Sequence, residues 1–292
     1  MSADTSHPLS GAGPVGSPET LAGLLGRDDI VIAEVAPDRD DRAYAAGHLP
    51  GALDWYWRDI AWDTFDREFP TPEEMARRLG EQGVGDGVHL VLYSPRVQYA
   101  VYVWWVMVEL CGFRDVHVLD GGSVAWSALG LPTETGPVAP VARTRSVPKR
   151  GRRDTSRVPR DELLGRVGTD RAPRIIDART DEEYSGARVK PGAGFDHGAT
   201  RHGRIPGAQS LMYLRLLDDE HRIRPAAELE ALFASVGADP ASSDDVVAYC
   251  RMGHRGSLVW FITTQLLGWD HVRLYDGSWT EWGSLVGAPV ER

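Results

Sequence analysis

Apolar positions along this chain fall into short runs separated by longer amphipathic stretches. In the C-terminal half, Arg174-Ile175-Ile176-Asp177, Val246-Val247-Ala248-Tyr249 and His271-Val272-Arg273-Leu274-Tyr275 each predict a short strand. Between them the spacing predicts helices over Glu228–Val236 and Leu258–Leu267, the second ending at Gly268. Pro206-Gly207-Ala208 reads as a turn into a further strand. Strand and helix alternate, which predicts an α/β fold with mostly parallel sheets flanked by helices.

The pattern is written twice. Leu90-Val91-Leu92-Tyr93-Ser94 matches Val246-Val247-Ala248-Tyr249-Cys250 at an offset of 156 positions. The same offset carries Leu119-Asp120-Gly121-Gly122 onto Tyr275-Asp276-Gly277-Ser278, Trp126 onto Trp282, and Gly47-His48-Leu49-Pro50-Gly51-Ala52 onto Gly203-Arg204-Ile205-Pro206-Gly207-Ala208. Four blocks in register indicate a tandem duplication. The expected layout is a mobile tail over residues 1–18, a first module over 19–135, a linker over 136–160 and a second module over 161–292. From Arg143 to Arg160 the linker holds eight basic residues and one acidic one, and reads as a solvated connection lying over acidic domains.

Composition narrows the classes. The 292 residues are 42% apolar and 25% charged, a globular balance, and the net charge of −10 argues against a surface built to grip nucleic acid or anionic lipid. No run is long enough to span a membrane, and no export signal opens the chain. With two cysteines only, a structural disulfide is not expected, and the expected location is cytoplasmic. Cys111 follows a helix rich in Trp and Val (Val101 to Leu110) and reads as core packing.

Cys250 is different. It closes a strand and opens a short basic loop, Arg251-Met252-Gly253-His254-Arg255, ahead of a helix. A thiol there faces free backbone N–H groups and the positive end of the helix dipole. Arg251 and Arg255 add permanent charge, and these terms favour the nucleophilic thiolate. In the first module Ser94 stands in this place and Pro95 removes an N–H from any cradle, so that module is expected to be catalytically silent.

The tandem layout and the run Cys250 to Arg255 resemble the two-domain rhodaneses, the thiosulfate sulfurtransferases. Val272 to Trp282 is similar to that family's C-terminal signature, and Tyr44 to Ala52 to its N-terminal one, although Trp55 stands where an aliphatic residue or Phe is usual. The resemblance implies two rhodanese-like domains and no cofactor or metal. It implies a cysteine that takes the outer sulfur of thiosulfate as a persulfide and passes it to cyanide or a thiol, with a downstream sulfur-accepting protein as a further partner. It makes Cys250 the nucleophile. Arg251, Met252, Gly253, His254 and Arg255 become the substrate cradle, with Arg179 adding positive field and Asp177 in support; a purely structural Asp177–Arg179 ion pair is the equal alternative. One position departs from the vertebrate-type pattern: Glu183, not Arg, precedes Tyr184.

Rival readings are weaker. Phosphatases of the related type use Cys-x5-Arg, whereas only four residues separate Cys250 from Arg255. In 3-mercaptopyruvate sulfurtransferases a small uncharged residue usually follows the cysteine, so Arg251 favours an inorganic dianion. A non-catalytic docking or sulfur-relay module would have no need of an intact cysteine in a basic loop, apart from a dedicated relay.

Overall fold

The computed structural model describes residues 9, 13–40, 42–63, 65–149, 153–240 and 245–292. The chain forms two compact units, Met1–Arg153 with Asp219–Arg222, and Asp154–Asp218 with Ile223–Arg292.

In unit 1 the described residues build a five-stranded parallel sheet. Its strands are β1 (Val15–Gly16), β2 (Ile30–Ala36), β3 (Ala52–Tyr56), β4 (His89–Tyr93) and β5 (Val116–Leu119), in the order β1-β5-β4-β2-β3. The helices are α1 (Pro18–Ala22), α2 (Ala43–Ala46), α3 (Trp57–Ala61), α4 (Pro72–Glu81), α5 (Val97–Trp105) and α6 (Gly122–Ala128), with a π-helical turn, Val106–Leu110, extending α5. β4 is buried at every position, as a central parallel strand covered on both faces must be.

Unit 2 repeats the plan with four parallel strands, β6 (Arg174–Asp177), β7 (Gln209–Ser210), β8 (Val246–Tyr249) and β9 (Val272–Leu274), in the order β7-β6-β8-β9. Around them lie α7 (Arg153–Ser156), α8 (Arg160–Arg166), α9 (Asp181–Tyr184), α10 (Ala226–Ser235), α11 (His254–Phe261) and α12 (Ser278–Trp282), and the turn Ile262–Leu266 extends α11. The core gathers Ile175, Val247, Tyr249, Tyr275, Trp279 and Trp282. The indole N–H of Trp282 donates to Pro289 O at 2.8 Å, and that of Trp126 in unit 1 donates to Pro132 O at 2.9 Å. Each module thus tethers the chain that leaves it in the same way.

The tail expected over 1–18 is ordered at its end, where Val15–Gly16 pair with Val118–Leu119; residues 1–8 and 10–12 of it lie outside the described residues. The linker expected over 136–160 is exposed or partly exposed along its described residues 136–149, and it is held to unit 1 by hydrogen bonds. Arg143 N–H donates to Gly80 O at 2.8 Å and Arg145 Nη1 to Gly85 O at 2.7 Å, so this part lies on unit 1. Its other end enters unit 2: Arg157 bridges Leu274, and Val158 N–H donates to Leu274 O at 3.0 Å. That bridge matches the β1–β5 pairing, so both modules begin earlier than hydrophobic periodicity indicates. Such short pairings leave no period to read. Cys111 is fully buried, its Sγ 3.5 Å from Pro70 O.

Candidate active site around Cys250

β8 delivers Tyr249 and Cys250 to the carboxyl edge of the sheet. Tyr249 is fully buried and its hydroxyl donates to Asp177 Oδ2. Burial and the Asp177 charge both push its pKa well above the ordinary value, so it stays a neutral donor. Asp177 also holds Arg179, accepting from Nε at 2.9 and 3.0 Å and from Nη2 at 2.6 Å. Arg179 Nη2 donates on to Gly203 O at 2.8 Å, and its guanidinium lies 4.7 Å from the Trp279 ring centroid. Asp177 and Arg179 are both 0% exposed. Burial alone would lower the pKa of Arg179, but Asp177 outweighs it. Of the two expectations for Arg179, added positive field or a structural ion pair with Asp177, the structure shows the buried pair. A desolvated guanidinium is stable only when its charge is matched at close range.

Cys250 is 1% exposed. Its N–H donates to Ser278 Oγ at 3.1 Å, and the Ser278 hydroxyl donates to Tyr275 O at 2.9 Å. Its carbonyl accepts Trp279 N–H at 3.0 Å, and Arg251 O accepts Thr280 N–H at 3.0 Å, so α12 fastens the start of the loop. Ser278 holds φ +53°, a left-handed conformation that side chains other than Gly seldom adopt. Gly253 turns the loop with φ +95° and α11 begins at His254. Gly256 lets that helix close on the sheet: a Cβ there would stand 2.9 Å from Leu274 Cδ1 and 3.2 Å from Tyr249 Cα. The first turn of a helix leaves N–H groups without partners in the helix, and α11 starts four residues after Cys250. Ser257 N–H is satisfied by Gly253 O at 2.8 Å.

The two loop arginines take different positions. Arg255 is 7% exposed and pairs bidentately with Glu183, Nη1 to Oε2 at 2.6 Å and Nη2 to Oε1 at 2.9 Å. Desolvation would lower its pKa, but the carboxylate keeps it above the ordinary value. For Glu183, burial would raise the pKa and the Arg255 contacts override it downward. Arg251 is partly exposed; its Nη2 donates to His197 O at 3.1 Å and packs on Gly198, where a Cβ would stand 2.5 Å from it. Met252 is partly buried, and His254 is buried with its carbonyl accepting the Ser257 hydroxyl at 2.7 Å. The structure thus gathers Cys250 to Arg255 into one loop. Glu183 and Ser278 complete it, and the sequence did not assign a role to Ser278. Nor did it show the Glu183 partner, since 72 positions separate Glu183 from Arg255.

In unit 1, Ser94 is fully buried and its Oγ accepts Arg96 N–H at 3.2 Å. The tyrosine–carboxylate contact persists, with Tyr93 OH donating to Glu34 at 2.6 Å. The cysteine, the Arg179 equivalent and the Arg255 equivalent do not, their places being taken by Ser94, Ala36 and Tyr99.

Fold and site together define a duplicated parallel α/β protein with a cysteine loop in its second module alone. The chain belongs to the rhodanese-like domain family, whose description matches residues 17–129 and 160–285. A Mycobacterium bovis protein named "Putative thiosulfate sulfurtransferase 1" is 35% identical over 264 residues, 90% of this chain and 91% of that one. The "Sulfur carrier protein TtuD" of Thermus thermophilus is 33% identical over 269 residues, 91% of this chain and 92% of that one. Among solved structures, the anaerobic ergothioneine biosynthesis enzyme of Chlorobium limicola with trimethyl histidine aligns with TM-score 0.79 and 25% identity, covering 95% of this chain and 70% of that one. A related structure is described as a cysteine persulfide with ergothioneine. Family and relatives make this chain a sulfurtransferase. Among the described residues, no helix is long and apolar enough to cross a membrane.

Proposed function

We propose that Cys250 takes the outer sulfur of thiosulfate, holds it as a persulfide and hands it to a thiol or to cyanide. The observation that carries this reading is the position of Cys250, at the end of β8 against the first turn of α11 with its peptide pinned by Ser278. The thiolate attacks the outer sulfur, the S–S bond to sulfite breaks, and its electron pair leaves with the sulfite dianion. The acceptor then attacks the persulfide sulfur, and Cys250 leaves as thiolate. Backbone N–H groups of the loop and of α11 stabilise both anionic forms of the cysteine. Near-complete burial of Cys250 keeps bulk water from the persulfide.

Arg251 stands at the partly exposed side of the loop and attracts the donor anion, while Asp177 and Arg179 support the loop from below. Unit 1 contributes no nucleophile. A relative named as a sulfur carrier and another named for thiosulfate transfer both fit this cycle.

The test is direct. Incubation with thiosulfate should add about 32 Da to the intact protein, reversibly with cyanide, as a covalent intermediate requires. Peptide mapping should find it on Cys250. An unchanged mass during turnover would sink the reading.

A further inference from the structure

The resemblance that led to the cradle gives Arg255 a donor to hold, yet its guanidinium fork is already engaged by Glu183. Both ends of the fork are used, and the two side chains are 9% and 0% exposed. Glu183 is gripped from its other side as well: Oε2 accepts the Thr180 N–H and the Thr180 hydroxyl, each at 3.1 Å. A donor could take Arg255 only by displacing a buried, multiply bonded carboxylate.

The first module supplies an internal control. Tyr44 and Tyr184 occupy the same place, each donating its hydroxyl to a backbone carbonyl, Ala52 O at 2.7 Å and Ala208 O at 2.8 Å. Ala43 therefore stands where Glu183 does, and Tyr99 stands where Arg255 does. That module folds a parallel sheet without the pair, and it also lacks the cysteine. The pair accompanies the chemistry rather than the fold.

We propose that Glu183 is a charge selector for the sulfur donor. By neutralising Arg255 beside Cys250, it tilts the site towards singly charged sulfane donors of the thiosulfonate class relative to doubly charged thiosulfate. The inference rests on the sulfur-transfer reading above. Asp177 and Arg179 also cancel, so neither buried pair offers net charge for a second negative charge on the donor. In a dry site that second charge is costly. The chemistry is otherwise the same: Cys250 thiolate attacks the outer sulfur of an alkyl thiosulfonate, the S–S bond breaks, and a sulfinate monoanion leaves with the electron pair in place of sulfite.

The experiment compares kcat/KM for thiosulfate and for methanethiosulfonate, with cyanide as acceptor, in the full-length protein. In Glu183→Gln the ratio of thiosulfate to methanethiosulfonate should rise roughly tenfold or more, the value of one released charge-assisted contact, and mainly through the thiosulfate KM. Glu183→Asp keeps the charge and should keep the wild-type ratio. If Glu183→Gln does not fold, the double variant Glu183→Gln with Arg255→Gln serves, since it removes the pair without leaving a lone charge. Its ratio should stay within about twofold of wild type, because a cancelled pair contributes little net field. An unchanged or lower ratio in folded Glu183→Gln, or a selective loss of thiosulfate use in the double variant, overturns the selector. If the wild type takes sulfur from neither donor, the sulfur-transfer reading itself fails.

Discussion

Ser278 and Gly122 occupy the same position in the two modules and share one backbone conformation, φ +53° and +54°. In unit 1 the glycine is obligatory, since a Cβ on Gly122 would stand 2.1 Å from Ser94 O. In unit 2 a serine tolerates the left-handed conformation and its Oγ receives the Cys250 N–H. A non-glycine residue there costs about 1–2 kcal/mol, and a hydrogen bond returns about 0.5–1.5 kcal/mol. These terms nearly cancel in stability, so the serine's value lies in fixing the Cys250 peptide.

Ser278→Gly should therefore leave the thermal midpoint within a few degrees of wild type while lowering kcat for sulfur transfer. Ser278→Ala keeps the strain and loses the bond, and should be the less stable of the two. Thermal unfolding alongside steady-state rates checks both. If Ser278→Gly retains full kcat, the peptide-fixing role is wrong.

Cys250→Ser should abolish transfer, because a hydroxyl forms no persulfide. Cys111→Ala should remain active and lose about 1–2 kcal/mol, as for removal of one small buried group. Turnover by folded Cys250→Ser would contradict the proposed cycle.

The two loop arginines should part company on mutation. Arg251→Ala is expected to raise the thiosulfate KM roughly tenfold with little change in stability, since its side chain is partly exposed and contacts a carbonyl. Arg255→Ala strands the buried Glu183 carboxylate and should cost about 3–5 kcal/mol. Chemical denaturation of both variants separates them. Equal stability losses would mean that Arg255 is not held as described.

Acid should find the same pair. Glu183 has a folded pKa below its ordinary 4.5, through Arg255 acting against burial. Its contribution is therefore complete above that ordinary value and is lost as pH falls through the lower folded value. Glu183→Gln should flatten the acid limb of the stability profile relative to wild type while leaving the neutral-to-alkaline limb's slope unchanged. A parallel acid limb in the two proteins would rule this linkage out.

Much of the site was legible in the chain. A cysteine following Val246-Val247-Ala248-Tyr249 and preceding a basic loop was placed at a buried strand end, where the structure has it, because a fully apolar run reads as a buried strand whose end opens on a loop. The duplication was legible for the same reason, through Tyr93 and Tyr249 in register. Charge partners were not. Arg255 read as a cation available to a donor, whereas it is buried and paired with Glu183; for Arg179 the sequence left the donor and an ion pair with Asp177 equally open, and the structure shows the pair. Sequence shows that a charge exists and not which distant carboxylate meets it. Backbone conformation was equally hidden: nothing in Gly277-Ser278-Trp279 announces a left-handed serine.

The π-helical turns have a historical meaning. Cys111 N–H bonds to Val106 O and Leu267 N–H to Ile262 O, both reaching back five residues at 3.0 Å. Such a turn is the footprint of one residue inserted into an ordinary helix. It sits at the same register in both halves, Val106–Leu110 and Ile262–Leu266. One insertion in a single ancestral module, copied afterwards, accounts for both. The lengthened helix is thus older than the duplication, and older than the divergence that left only one half with a cysteine at the end of its central strand.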